Sequence, residues 1–317
     1  MSPVAAPKRN GATPHVGAPW LAYACLAGSM TLVGSYVGFS RSLVLVFPVL
    51  LLAWLRFGIA GIAMLGWLRR APGEPALSAR EHRLLFAESF FGNFLFSICM
   101  LYGMSMTSAL AAGVIMAALP AVVALLSWGW LRERITPRVG AAIVCAVAGI
   151  ALVSASRGGG TAAHGTLAGH LLLLAAVICE AIYVVVGKQL SDRIGPRRIS
   201  ALINLWGLAL VTPFGVWQAW HFDFASVSGP AWLGLAAYSI AASVVTVWLW
   251  MTGLRHVPAS SAGIYTVMLP VAAAAVGVLF LGERFSAAQS AAFGLALIGV
   301  VLATWPARSQ AASTALR

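Results

Sequence analysis

The sequence is dominated by apolar runs of about twenty residues, separated by short segments that contain charged residues, glycine and proline. A helix needs about 20 predominantly apolar residues to cross the hydrocarbon core of a bilayer. Ten runs meet this requirement, and the pattern predicts a membrane-spanning helix for each. The ten predicted spans are Trp20–Phe39, Val44–Leu68, Leu84–Met104, Ser108–Trp130, Val139–Ser156, Thr166–Gly187, Ile199–Trp220, Trp232–Gly253, Ala259–Leu281 and Ala287–Trp305.

The amino-acid composition excludes a water-soluble protein. Hydrophobic residues make up 61% of the chain and charged residues only 9%, whereas soluble domains carry about 25% charged residues. The four cysteines all lie within apolar runs, and none has the spacing of a zinc site or a CxxC redox pair. The sequence therefore predicts an all-α membrane protein without a metal site or a cofactor.

The net charge of +12 is explained by membrane topology. Ten spans place both termini on the same side of the membrane, and cytoplasmic loops carry the excess of Lys and Arg. If the N-terminus is cytoplasmic, 16 basic residues lie inside, three lie outside, and Arg56 lies within a span. This distribution predicts a bacterial-type inner-membrane protein with cytoplasmic termini, and the charge requires no nucleic-acid partner.

The second half of the chain repeats the first. With a shift of 150 residues, segments 103–152 and 253–302 align without a gap, and 15 of their 50 positions are identical. Each half contains five predicted helices, so the second copy enters the membrane upside down, as in many secondary transporters. We predict a cytosolic tail at 1–19, repeats at 20–157 and 158–306, a second cytosolic tail at 307–317, and a central cavity between the repeats.

Several motifs resemble the EamA-like family of the drug/metabolite transporter superfamily. They are Gly34-Ser35, the region of Arg56, and the paired segments Leu131-Arg132-Glu133-Arg134 and Leu281-Gly282-Glu283-Arg284. The second copy matches the family pattern, while the first has Arg132 where glycine is usual. The resemblance implies ten helices in two inverted repeats around a central cavity, and often export of amino acids, metabolites or drugs.

Three ionisable residues lie inside predicted spans, where they usually face a cavity or a partner. They are Arg56, Glu88 and Glu180. At 1.5 Å per residue, Arg56 lies about 18 Å and Glu180 about 13 Å from the cytoplasmic ends of their helices, while Glu88 is shallower. We predict that Arg56 binds a carboxylate, and that Glu180 and Glu88 titrate or bind a cationic group. The alternatives are a fixed Arg56–Glu180 ion pair, or an arginine extended towards the headgroups.

Three tyrosines are further candidates for binding substrate. Tyr183 lies on nearly the same helix face as Glu180, and a shift of 147 residues pairs it with Tyr36. A shift of 150 pairs Tyr238 with Glu88. Cavity lining is one interpretation, and anchoring at the membrane interface is the other.

Pro120 and Pro270 occupy equivalent positions in the two repeats and are candidates for gating, because proline kinks a helix and frees a backbone carbonyl. A purely structural role is the alternative. Trp248 and Trp250 are predicted to be interfacial anchors, with stacking on a substrate as the alternative. Asn93, like Asn204, is predicted to form an interhelical hydrogen bond.

The functional prediction is a secondary transporter that exports small metabolites such as amino acids by alternating access. An importer or facilitator and an efflux transporter for cationic drugs are the alternatives, with an ion channel and a membrane-embedded enzyme more remote. Gly187-Lys188 does not complete a phosphate-binding loop, because Ile182 and Gln189 break the motif. The predicted partners are a small-molecule substrate and the lipid bilayer, with protons as a candidate coupling ion. Both a monomer and a homodimer are compatible with the sequence.

Overall fold

The computed structural model describes residues 19–70, 76–131, 136–155, 166–191, 194–256 and 263–304. This part of the chain is helical and contains no β-strand. We number its main helices α1 to α10. They are α1 Pro19–Val44, α2 Val49–Ala63, α3 Ala79–Ser105, α4 Ala109–Met116 continued by Leu119–Leu131, α5 Pro137–Ala155, α6 Leu167–Ser191, α7 Pro196–Trp220, α8 Gly229–His256, α9 Met268–Leu279 and α10 Ala287–Thr304.

Each of these helices overlaps one predicted span. Within the described residues, six apolar helices have the length of a membrane span, and α2, α5, α9 and α10 are shorter apolar helices. Within the first half, the start positions differ most at α2, which begins five residues after its predicted span, and at α3, which begins five residues before it. Ser78 and Glu81 form a capping box there, in which each side chain accepts a hydrogen bond from the other residue's backbone N–H. This polar first turn is helical because of its cap, and a hydropathy criterion does not detect it.

Helices from the two halves of the chain pack against each other throughout the bundle. α1 packs on α8 and α9, α6 packs on α3 and α4, α2 packs on α7, and α5 packs on α10. The contact between α1 and α9 is close at Gly34, where an added Cβ would overlap the Leu269 carbonyl oxygen and the Ala272 side chain. Glycine at this position lets the two helix backbones approach each other.

One end of the bundle carries most of the described arginines, and we call it the basic end. Arg80, in the first turn of α3, donates to Gln189 near the end of α6 at 3.4 Å. Trp67, after α2, and Trp248 of α8 have ring centroids 6.3 Å apart. These contacts bring the ends of α2, α6 and α8 together with the start of α3. The arginines in these segments and at the start of α7 are Arg69, Arg70, Arg80, Arg83, Arg197, Arg198 and Arg255.

At the opposite end of the bundle, Glu283 joins three helices. Its Oε1 accepts from the backbone N–H of Ala109 at 3.0 Å, and its Oε2 accepts from that of Leu110 at 2.9 Å. Arg41, in the last turn of α1, forms an ion pair with the same carboxylate. Gly282 has φ +65°, a left-handed conformation that glycine adopts without strain, in the turn that places Glu283. Glu133 and Arg134, its counterparts in the first half, lie outside the described residues.

Four helices are irregular, and the irregularities occur in equivalent positions of the two halves. A π-helical segment interrupts α3 at Phe90–Leu95 and α8 at Ile240–Val245, an offset of 150 residues. Pro120 is the second residue of the helix that resumes within α4, and Pro270 is the third residue of α9, which follows a 3₁₀ turn at Gly263–Val267. The expected kinks are therefore interruptions of the helix just before each proline, because proline fits the first turn of a helix and not its interior.

Candidate functional site

A small cavity of about 30 Å³ lies where the π segments of α3 and α8 face α1, α2 and α6. The π segments contribute Gly92, Asn93 and Ala242 to its wall. Helical segments of this type are frequent at functional sites, since they change the direction of the side chains that follow. The polar and aromatic residues that line the cavity are Ser29, Tyr36, Arg56, Asn93, Phe96, Glu180, Tyr183, Thr246 and Trp250.

Arg56 lies on the buried face of α2 and points into the protein interior. Its side chain is 3% exposed, so the alternative in which it extends towards the headgroups is wrong. Nη2 donates to the Ser97 hydroxyl, which in turn donates to the Asn93 carbonyl in the π segment. The guanidinium carbon lies 4.4 Å from the centroid of the Phe57 ring and 5.8 Å from that of Tyr238. These contacts orient the guanidinium, and its Nε has no hydrogen-bond partner among the described residues.

Glu180 lies on α6, lines the same cavity and is 7% exposed. Within the described part of the chain, the ion pair formed by Arg41 and Glu283 is present, but Arg56 and Glu180 do not form one. Arg56 and Glu180 thus line the same cavity, and the alternative of a fixed ion pair between them is wrong. Opposite charges face one cavity without neutralising each other directly.

Aromatic rings from both halves enclose this charged site. Tyr36 of α1 and Tyr183 of α6 line the cavity, and Tyr183 packs against Gly92 so closely that an added Cβ would overlap its ring. Tyr238 lies behind Tyr36, with ring centroids 5.8 Å apart and planes at 78°. The two tyrosines related by the repeat thus share the cavity, while Tyr238 supports it through Tyr36 and the guanidinium.

Trp250 was predicted to be an interfacial anchor, and the structure corrects this. Its side chain is 1% exposed and lines the cavity, and its Nε1 has no hydrogen-bond partner among the described residues. Trp248, two residues earlier, lies half-buried at the basic end. A separation of two residues turns a side chain by about 200° around a helix, so neighbouring tryptophans face different environments.

Glu88 does not line the cavity. It is fully buried on α3 and packs against Gly187 of α6, where an added Cβ would lie 2.6 Å from its Oε1 and 3.1 Å from the Met251 methyl group. Neither carboxyl oxygen has a hydrogen-bond partner among the described residues. Glu88 is near enough to Glu180 for an electrostatic interaction. Glu88 therefore lies outside the cavity, nearer to the end of α6.

The two asparagines have different roles. Asn204 of α7 donates to the Phe57 carbonyl of α2 at 2.9 Å, which confirms the predicted interhelical hydrogen bond. Asn93 instead lines the cavity. Ser29 and Thr246, which the sequence analysis did not select, face the cavity too, and Ser29 donates to the Thr246 carbonyl at 2.9 Å. Small hydroxyl residues are common in membrane helices, so their presence alone gave no signal.

Unpartnered polar atoms collect around this cavity. Besides Nε of Arg56 and Nε1 of Trp250, the hydroxyls of Thr246, which lines the cavity, and of Tyr238, which packs on Tyr36, have no hydrogen-bond partner among the described residues. Buried polar groups normally have partners, so a cluster of exceptions calls for a ligand or water. The described residues contain no group of three or more His, Cys, Asp or Glu side chains suited to a metal ion. The site thus offers a basic side chain, an acidic side chain and a hydroxyl group to a polar ligand or to water.

Comparisons with known proteins identify relatives of this chain and a crystal structure with the same fold. The model of the EamA-like transporter family matches the chain twice, at residues 20–155 and 167–305. The uncharacterized transporter YetK of Bacillus subtilis is 35% identical over 268 residues, which cover 83% of this chain and 81% of YetK. The threonine/homoserine exporter RhtA of Escherichia coli K12 is 30% identical over 151 residues, 46% of this chain and 48% of RhtA. One crystal structure shares the fold, with a TM-score of 0.60, 20% identity, and coverage of 91% of this chain and 98% of that one.

Proposed function

Because the chain belongs to the EamA-like transporter family and is therefore a membrane transporter and not an enzyme, we propose that it exports small zwitterionic metabolites, such as amino acids, by alternating access. The observation that carries this proposal is that Arg56 and Glu180 face one cavity without forming an ion pair. A zwitterion would form an ion pair with both side chains at once. A purely cationic drug would leave the Arg56 guanidinium buried beside a like charge, which is unfavourable.

The geometry suits an amino acid in one orientation. The substrate carboxylate would pair with the oriented guanidinium of Arg56, which provides planar donors matched to a carboxylate. The ammonium group would then face the Glu180 carboxylate, and Tyr36, Tyr183 and Trp250 would enclose the remainder of the molecule. The name of the relative RhtA, a threonine/homoserine exporter, supports this substrate class and the outward direction.

Three observations support ten helices in two inverted repeats. The family model matches once in each half of the chain. The π segments of α3 and α8 are offset by 150 residues. If α1 to α5 correspond to α6 to α10, the contacts of α1 with α8 and α9 correspond to those of α6 with α3 and α4, while α2–α7 and α5–α10 correspond to themselves. With this two-fold relation the cavity would lie at the interface of the repeats, where secondary transporters bind their substrates.

The distribution of arginines supports an orientation. The basic end would be cytoplasmic, and both termini would lie on that side of a bacterial inner membrane. Glu283 and Arg41 would then lie at the outer end, where their ion pair and the hydrogen bonds to α4 close the bundle. The cavity of about 30 Å³ is much smaller than typical small-ligand sites of about 300–1,000 Å³. An amino acid therefore enters only when one end of the bundle opens, as alternating access requires.

Transport in proteoliposomes tests the proposed function. The wild-type protein is expected to transport radiolabelled threonine in preference to a cationic drug. Glu180→Gln and Arg56→Gln are each expected to reduce threonine flux at least tenfold, about the effect of losing one interaction of 1.4 kcal/mol. Measurements with and without an imposed pH gradient show whether protons drive the flux.

Asp223→Asn is the matched control, since Asp223 is an exposed carboxylate near the start of α8. Its flux is expected to equal that of the wild type. The proposal fails if both site variants transport threonine at the wild-type rate, or if no amino acid in a panel is transported while cationic drugs are.

A further inference from the structure

A second and larger pocket, of about 380 Å³, lies at the basic end of the bundle, away from the central cavity. It is formed by the segment after α2, the start of α7 and the end of α8. Arg69, Arg197 and Arg198 contribute positive charge, and Trp67 and Trp248 form aromatic walls. Among the described residues that line the pocket, none is acidic. Its chemistry is therefore that of an anion site with aromatic walls.

Arg197 lies against both tryptophans, whose rings also contact each other. Its guanidinium carbon lies 5.9 Å from the ring centroid of Trp67 and 5.9 Å from that of Trp248. Contact with an aromatic face orients a guanidinium and leaves its N–H edge available for the oxygens of a phosphate. Arg69, which is exposed, lies on the same pocket.

The surface next to the pocket, at the end of α2 and in the turn that follows, carries exposed apolar side chains. Ile62 in α2 is 74% exposed, and Leu65 in the following turn is 59% exposed. Ile62 precedes Gly66 of the pocket by four residues, and Leu65 is the residue next to Gly66. Exposed apolar side chains of a membrane protein face lipid tails, and tryptophan is enriched at the level of the headgroups. An apolar surface thus leads directly into a pocket with positive charge.

From this combination we propose that the pocket binds the phosphodiester headgroup of an anionic phospholipid, with the acyl chains lying along Ile62 and Leu65. The headgroup phosphate pairs with Arg69 and Arg197, and the contacting rings of Trp67 and Trp248 form one wall of the pocket. Basic pockets between membrane helices bind anionic headgroups in this manner. The volume of the pocket is in the range of small-ligand sites. The site is separate from the transport cavity, so the proposal stands independently of the transported substrate.

Native mass spectrometry of the detergent-solubilised full chain tests this proposal. Phosphatidylglycerol and phosphatidylcholine with identical acyl chains are titrated in parallel, and the dissociation constant of the first bound lipid is compared. We expect phosphatidylglycerol to bind more tightly. The double variant Arg69→Gln/Arg197→Gln is expected to lose about fivefold in phosphatidylglycerol affinity for each arginine, and to bind phosphatidylcholine unchanged.

Two further variants keep the result specific. Arg83→Gln removes an exposed arginine at the basic end that does not line the pocket, and its lipid affinity is expected to stay at the wild-type value. Arg197→Lys keeps the charge and is expected to keep the preference for phosphatidylglycerol. The proposal is overturned by equal affinity for the two lipids, by an equal loss in Arg83→Gln, or by displacement of phosphatidylglycerol with an excess of inorganic phosphate, which would identify a soluble anion as the ligand.

Discussion

The contact made by Glu283, at the end of the bundle that we propose to be the outer one, predicts how that end opens. Its carboxylate accepts hydrogen bonds from the first two backbone N–H groups of α4 and pairs with Arg41 of α1, and its side chain is 12% exposed. Ser108 accepts a hydrogen bond from the next N–H group, that of Ala111. The first two backbone N–H groups of α4 therefore have these hydrogen-bond partners only while the segment after α9 lies against α4. The closed state of this end of the bundle thus depends on Glu283.

The size of the effect follows from these contacts. A hydrogen bond to a charged group contributes about 1.5–3 kcal/mol, and Glu283→Gln removes the negative charge and leaves one oxygen to accept. A loss of about 2 kcal/mol from the closed state corresponds to a shift of about 30-fold towards the state that is open at the outer end. The variant is still expected to fold, because the contact involves one side chain at the end of the bundle.

Accessibility of the central cavity measures this shift. In a background with the four native cysteines replaced by alanine, Ser29→Cys places a reporter thiol on the cavity wall. Whole cells are treated with a membrane-impermeant maleimide, which reaches the cavity only from outside. Adding Glu283→Gln is expected to raise the labelling rate by about 30-fold. Arg284→Gln, which changes the exposed neighbouring charge, is expected to leave it unchanged.

An unchanged labelling rate in folded Glu283→Gln protein would refute the closing role of this contact. An equal rise in Arg284→Gln would refute it too, since any change of charge in the segment would then have the same effect. Slower labelling would indicate that Glu283→Gln opens the cytoplasmic end of the cavity, and the proposed orientation would be wrong.

Two further changes test the packing and the site. Gly34→Ala introduces a Cβ that overlaps the backbone of α9, so it is expected to destabilise the protein by about 1–3 kcal/mol. Gly58→Ala, with no atom within 4 Å of the added Cβ, is expected to be neutral or to stabilise the protein slightly. Thermal unfolding in detergent compares the two variants, and equal midpoints would contradict the close approach of α1 and α9. Ser97→Ala removes the hydroxyl that accepts from Arg56, and is expected to weaken threonine binding about tenfold without lowering the yield of folded protein. Calorimetric titration checks this, and unchanged affinity would show that other contacts orient the guanidinium.

Much of the architecture is encoded locally and was predictable from the sequence. The all-helical, apolar character of the chain and its family membership were predicted correctly, and within the described residues six of the ten predicted spans are apolar helices of membrane-spanning length. The boundaries were less predictable where polar residues are helical, as at Ser78 and Glu81, because capping and not hydropathy begins that helix. The π segments were not predicted, since Phe90–Leu95 and Ile240–Val245 have the composition of ordinary membrane helices.

For the candidate site, the depth of the charged residues along their helices was predictable from the sequence, but the contacts of their side chains were only partly predictable. Counting residues along a helix placed Arg56 and Glu180 at similar depth, and both line the cavity. The same counting did not reveal that Arg56 uses Ser97, that Glu88 packs behind the site, or that Trp250 faces the cavity. Which side chains meet depends on the rotation of each helix about its axis and on the π segments.

The sequence by itself determined that this chain is a membrane protein, because an apolar run of about 20 residues with its polar boundaries is a local property that the bilayer imposes. It also revealed the duplication, because the alignment of 103–152 with 253–302 needs no coordinates. The tertiary structure alone decided which charges stay unpaired at the centre and which, as at Arg41 and Glu283, close an end. These contacts join residues up to 242 positions apart, and only the packing of the helices brings such residues together.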